Sequence, residues 1–202
     1  ILKCLNVSEY ELNIFVGDIS KISIEFYLKN QILIPKVEQK NSLKWFINFL
    51  KKNKIDILFV GSEFEIEFFS KHKKEIEKKT DTLVCVSDYK IVKLFNNKLS
   101  TIQFLEKNNF NHPKTFAITK LIKNKNDIKI KFPFYLKDTH GTSSKNVFLI
   151  NSFQELRENV KKIKKPIIQE SLGKKYDVSK FHDEFTCSVF YKKNGQILGP
   201  FL

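Results

Sequence analysis

The strongest constraint on this chain is an alternation between residues 11 and 85, where short apolar runs trade places with amphipathic stretches. Residues 12–16, 32–34, 55–60 and 82–86 are apolar runs of strand length, and the segments between them carry helical periodicity. Strands separated by helices join most simply in parallel, because a parallel connection must travel back along the sheet and a helix covers that distance. The spacing therefore predicts an α/β fold class with a Rossmann-like first half. Ser42 is expected to cap a helix whose Leu43, Phe46, Ile47 and Leu50 fall at i, i+3, i+4 and i+7. Residues 63–79 should form a second helix with Phe64, Phe68 and Ile76 inward. Residues 1–5 read as the last turns of a helix, so an opening strand and turn are expected to precede them.

Further along, Ser87-Asp88 starts a short helix, and Asn96-Asn97-Lys98 leads into one with Leu99, Ile102 and Leu105 as its apolar stripe. Asn109, Asn111 and Pro113 break it, 115–118 read as extended, and 120–131 is a Lys/Asn-rich surface stretch. Ser152 and Glu155 match a capping box ahead of Phe153, Leu156 and Val160. A strand at 166–170, a polar excursion at 173–183 and a β-hairpin (184–191 with 196–202) around Asn194-Gly195 complete the pattern.

Between 132 and 147 the chain reads as strand, loop, strand. Phe134, Tyr135 and Leu136 suit a strand, Lys137 ends the apolar run, and Thr139, Gly141, Thr142, Ser143 and Ser144 follow. Short hydroxyls, free backbone N–H groups and an ammonium are what phosphate oxygens require. Gly141 allows close backbone approach.

Composition narrows the function classes. A hydrophobic share of 42% over 202 residues suffices for a core, in one large domain or, as preferred here, two small ones. The net charge of +14 invites a nucleic-acid reading, but Arg157 is the single arginine among 36 basic residues. Base readout and stacking favour arginine, so the charge reads as a lysine-rich solvated surface. No apolar run reaches the roughly 18–20 residues that span a bilayer, and the charged start does not resemble a signal peptide, so a cytoplasmic protein is expected. Cys4, Cys85 and Cys187 are too few and too scattered for a zinc site or disulfide scaffold and read as buried free thiols. His72, His112, His140 and His182 form no ligand cluster, and His182-Asp183-Glu184 alone does not make a metal site. Glu63 and Glu65 follow a strand's carboxyl end, where α/β sheets place ligands, but acids at a helix start also serve its dipole.

Lys98 at a helix start, Lys137 before a hydroxyl-rich loop, a capped helix, the strand ending Ile-Ile-Gln169-Glu170, and Glu184 opening the next hairpin occur in one order. That ordered set resembles the ATP-grasp superfamily, and within it the carbamoyl-phosphate-synthase-like branch of carboxylate-amine ligases. Residues 55–63 resemble a strand and turn of the pre-ATP-grasp domain, and 96–105 the first phosphate-lysine segment. The resemblance implies a pre-ATP-grasp domain over 1–95 and the N-terminal part of an ATP-grasp domain over 96–202. The latter would comprise a lid at about 113–168, a hinge at 169–172 and the start of the body at 173–202. It further implies that Lys98 and Lys137 hold nucleotide phosphates under a flap containing Gly141, Thr142, Ser143 and Ser144, with hydroxyls standing in for some of the family's glycines. Gln169, Glu170, Ser171 and Leu172 would meet the adenine through backbone groups and an apolar side chain, and Glu184 would accept hydrogen bonds from ribose hydroxyls. ATP and Mg2+ are the implied cofactors. The family's metal ligands belong to a later segment, expected beyond residue 202, so the chain reads as a fragment with no catalytic residue assigned. The implied reaction joins a carboxylate to an amine through an acyl phosphate. Amino acid, sugar acid, peptide and bicarbonate all stay open as substrates, and so does a homo-oligomer.

Two other readings stay open at this stage. One is a non-catalytic nucleotide-binding or interaction domain that kept the fold, separable by a downstream Glu…Glu-x-Asn pattern. The other, a basic nucleic-acid-binding module, rests on charge alone and is separable by DNA binding that ignores ATP.

Overall fold

The computed structural model describes residues 2–21, 30–119, 121–122, 124–140, 146–172, 187–192 and 194–201. They form two compact units, one from the described residues of 1–110 and 139–145, the other from those of 111–138 and 146–202.

The first unit bears out the alternation. After α1 (Leu2–Asn6), β1 (Val16–Asp18) pairs in parallel with β2 (Gln31–Leu33), and β3 (Ile57–Phe59) pairs in parallel with β4 (Leu83–Cys85). Helix α2 (Ser42–Lys52) precedes β3, and α3 (Glu63–Thr80) makes the β3-to-β4 crossover. Three of the four ladders are shorter than their apolar runs, and β2 matches its run in length but starts one residue earlier. Residues 12–15 precede the first ladder pair, Val16 with Gln31. The core joins Phe46 and Leu50 of α2, Phe69 and Ile76 of α3, and Val84 of β4. Each such side chain, once removed from water, stabilises by about 1.5–3 kcal/mol.

Three local expectations are corrected here. Asn41, not Ser42, holds the N-cap position of α2, and its side chain makes no cap hydrogen bond. Ser42 is its first residue and buried, and its hydroxyl donates to the Val37 carbonyl at 2.9 Å instead of accepting from the helix. Phe64 is 66% exposed, not inward. The buried stripe of α3 runs through Phe69 and Ile76, and Phe64, five residues before Phe69, stands about 140° around the helix from it. Cys4, Cys85 and Cys187 are free as expected but exposed, not buried. For Cys85 the cause is strand alternation: Val84 takes the core side of β4, so Cys85 points away.

Two more helices follow, α4 (Tyr89–Phe95) and α5 (Lys98–Lys107). The second unit then opens with β5 (Thr115–Ala117). It continues through β6 (Phe134–Asp138), β7 (Phe148–Ile150), α6 (Phe153–Asn159) and β8 (Pro166–Glu170). The strands form one antiparallel sheet in the order β5-β8-β6-β7. Phe134, Leu136, Ile150 and Ile168 share a face and pack with Leu156 of α6, Val160 and Ile163. The expected capping box is half formed. Ser152 accepts from the Glu155 N–H at 3.2 Å, but the Glu155 carboxylate accepts from the Asn151 N–H at 3.0 Å, one residue before the cap.

The predicted C-terminal hairpin is present as β9 (Ser188–Tyr191) and β10 (Ile197–Phe201), antiparallel and exposed along both strands. Gly195 sits at φ 83, the left-handed backbone that its turn position needs. Among the described residues no helix is long and apolar enough to cross a membrane.

Candidate functional site

β6 is the element on which the second unit's candidate chemistry rests. Its Phe134 and Leu136 are buried in the core, so alternation sends Tyr135 and Lys137 to the opposite face. Register adds neighbours to that face, because Tyr135 pairs with Gln169 of β8 and Gln169 with Thr115 of β5. Thr115, Gln169 and Tyr135 therefore stand in a row across three strands, with Lys137 one pleat further along β6.

The polar groups of this row are linked. The Lys137 ammonium donates to Gln169 Oε1 at 2.7 Å and lies 5.0 Å from the centroid of the Tyr135 ring. Gln169 Nε2 donates to Thr115 Oγ1 at 3.0 Å, and Thr115 Oγ1 donates to the Pro113 carbonyl at 2.9 Å. A carbonyl oxygen and an aromatic face both attract a cation, so the ammonium is aimed.

The strand end beyond Gln169 is also committed. The Glu170 N–H donates to the Lys114 carbonyl at 2.9 Å, and the Glu170 carboxylate accepts from the Lys114 N–H at 2.6 Å. Ser171 is half-buried, whereas Leu172 is 74% exposed. On the other side of Lys137, the Asp138 carboxylate accepts from the Lys164 N–H at 3.2 Å and steadies the approach to β8.

Lys98 belongs to the first unit, as the first residue of α5 and half-buried. Asn97 caps this helix, its side-chain oxygen accepting from the Leu99 and Ser100 N–H groups at 3.0 and 3.1 Å. The Lys98 N–H donates to the Thr139 carbonyl at 3.0 Å. The first-turn amides of α5 are thus spent within the protein, and an anion arriving here would meet side chains instead. Beside this end of α5 lies a concavity of about 330 Å3 lined by Lys90, Lys93, Leu94, Asn97, Ser100 and His140.

Lys137 and Gln169 are brought into direct contact, and Glu170 is turned to Lys114. Gly141, Thr142, Ser143, Ser144 and Glu184 lie outside the described residues. Sequence reasoning missed Thr115 and Tyr135. A threonine in an extended run gives no signal by itself, and only the register places it opposite Gln169. Of the two acids at the start of α3, Glu65 is half-buried, and its pKa is raised by burial first and then by the Asp18 and Glu38 carboxylates. These effects outweigh the helix dipole, which alone would lower it. Among the described residues no group of three or more His, Cys, Asp or Glu side chains is placed to hold a metal ion.

No family model and no curated protein matches this sequence. Solved structures match by shape. The L-amino acid ligase from Bacillus licheniformis is 17% identical at a TM-score of 0.55, over 70% of this chain and 32% of that one. N5-carboxyaminoimidazole ribonucleotide synthetase from Thermotoga maritima is 17% identical at a TM-score of 0.52, over 83% of this chain and 39% of that one. The chain spans less than two-fifths of the length of either. Both are ATP-grasp ligases, and over the matched stretch the fold of this chain is the ATP-grasp fold.

Proposed function

We propose that this chain is part of an ATP-dependent carboxylate-amine ligase and that Lys137 binds the phosphates of ATP. The single observation that carries this reading is the Lys137 ammonium, aimed by Gln169 and Tyr135 on the face of the sheet turned away from the core. The ATP-grasp fold supports it from a second direction.

The residues fit a nucleotide. An ammonium meets phosphate oxygens, and an exposed Leu172 just past β8 has apolar surface that a purine ring would cover. The roles that the resemblance implies for Lys98, for Gly141, Thr142, Ser143 and Ser144, and for Glu184 stay part of the proposal, the last five residues lying outside the described ones. Gln169 serves twice, with its backbone toward the adenine edge and its side chain on Lys137. ATP supplies a phosphoryl group. A carboxylate oxygen bonds to the γ-phosphorus as ADP leaves, and an amine nitrogen then bonds to the acyl carbon as inorganic phosphate leaves and the amine gives up a proton. The cations of this chain stabilise the charge on the transferred group. No step is assigned to magnesium, because the described residues offer it no ligand set. The carbamoyl-phosphate-synthase-like branch and a cytoplasmic setting rest on the motif order and composition alone.

Thermal shift with Mg-ATP tests the nucleotide half of the proposal. Wild type should melt at rising temperature as ligand exceeds its dissociation constant, and Lys137→Ala should show a much smaller response. No response in wild type, or equal responses in both, overturns the role of Lys137. With the full-length protein, phosphate release that depends on added carboxylates and amines supports the ligase half, and ATP binding without such release overturns that half.

A further inference from the structure

We infer that Thr115 is a positioning residue for Lys137, acting through the side-chain amide of Gln169. The inference rests on the nucleotide role proposed above and adds a residue to which no role has been given. Its basis is the direction of the hydrogen bonds. A backbone carbonyl can only accept, so the Thr115 hydroxyl, 2.9 Å from the Pro113 oxygen, spends its single proton there. Toward Gln169 that hydroxyl offers lone pairs and nothing else. The amide group of Gln169 must therefore turn its NH2 to Thr115, at 3.0 Å, which leaves Oε1 facing Lys137 at 2.7 Å. The opposite amide orientation would set NH2 donors against an ammonium and two acceptors' worth of oxygen against each other, losing both contacts.

Polarity thus runs one way, from the Lys137 ammonium through Gln169 and Thr115 to the Pro113 carbonyl. The sheet supplies the spacing. Thr115 and Gln169 are paired residues on β5 and β8, and the pleat keeps both on the Lys137 face. A lysine side chain has many rotamers, and fixing it before the ligand arrives removes part of the ordering cost from binding. Without the hydroxyl, the Gln169 amide is anchored at its Oε1 end alone, its NH2 loses the Thr115 acceptor, and the oxygen that aims Lys137 is less firmly placed.

A double-mutant cycle on Mg-ATP binding, read by calorimetry, tests this. Thr115→Val keeps the shape and removes the hydroxyl, and it should weaken binding about 3- to 10-fold. Thr115→Ser should restore the affinity to within about 2-fold of wild type. In a Lys137→Ala background, Thr115→Val should cost nothing further, because the group it positions is gone. Wild-type affinity in Thr115→Val, with Lys137→Ala weakened, overturns the inference and leaves the nucleotide reading standing. An equal loss from Thr115→Val in both backgrounds also overturns it, since a general structural role would act without Lys137. Unchanged affinity in Lys137→Ala overturns the nucleotide reading itself. If Thr115→Val does not fold, Gln169→Leu interrupts the same link from the neighbouring strand and carries the same expectations.

Discussion

Glu65 is a carboxyl group pulled against its own helix. It stands in the first turn of α3, where the dipole favours negative charge, yet burial and the Asp18 and Glu38 carboxylates raise its pKa above the ordinary 4.5. The folded state therefore keeps this proton to higher pH than the unfolded chain does. Stability should fall as pH rises from about 4.5 through the raised pKa, and level off above it. Glu65→Gln should melt higher than wild type at neutral pH, by roughly 1–2 °C, because solvent screening holds a half-exposed carboxylate to well under about 1 kcal/mol. Melting curves from about pH 4 to about pH 8 check it. The gap should open as pH rises, and a gap independent of pH would falsify the electrostatic account.

At the scale of elements, α5 shows how much a local motif can settle alone. The run Asn96-Asn97-Lys98 predicted a helix start, and Asn97 caps it with two accepted N–H bonds. Asn97→Ala should destabilise the chain by about 1 kcal/mol, while Asn97→Asp, which keeps an acceptor and adds favourable charge, should stay near wild type. Urea midpoints at equal slope are the measurement, and an alanine variant as stable as wild type would show that water replaces the cap without loss. The strand Pro166–Glu170 and the Asn194-Gly195 turn were equally legible, the one from its Ile167-Ile168 run and the other from its turn dipeptide. Ser42 and Phe64 were not. Ser42 found the Val37 carbonyl rather than its own helix, and the side of α3 that faces the core was decided by what packs on it.

For the whole molecule, charge and fold point to different partners. A net charge of +14 with one arginine predicts weak attachment to DNA that falls steeply with salt and ignores base sequence. Gel-shift titrations on two unrelated duplexes at low and moderate salt should give equal affinities, both lost at the higher salt. A preference for one duplex that survives salt would put the nucleic-acid reading ahead of the ligase reading. Much of the architecture was readable in advance because helical and strand periodicities are local, and so is the order of motifs that resembles the ATP-grasp superfamily. Lys137 could be picked out from its position between strand and loop. Its partners could not, because Gln169 is 32 residues away, and Thr115 is 54 residues from Gln169. Local pattern was enough to place most strands and helices, and to set Lys98 at a helix start and Lys137 near the end of a strand. Tertiary structure alone decided the register that sets Thr115, Gln169 and Lys137 on one face, because hydrogen-bond direction and burial depend on groups that meet only when the sheet closes.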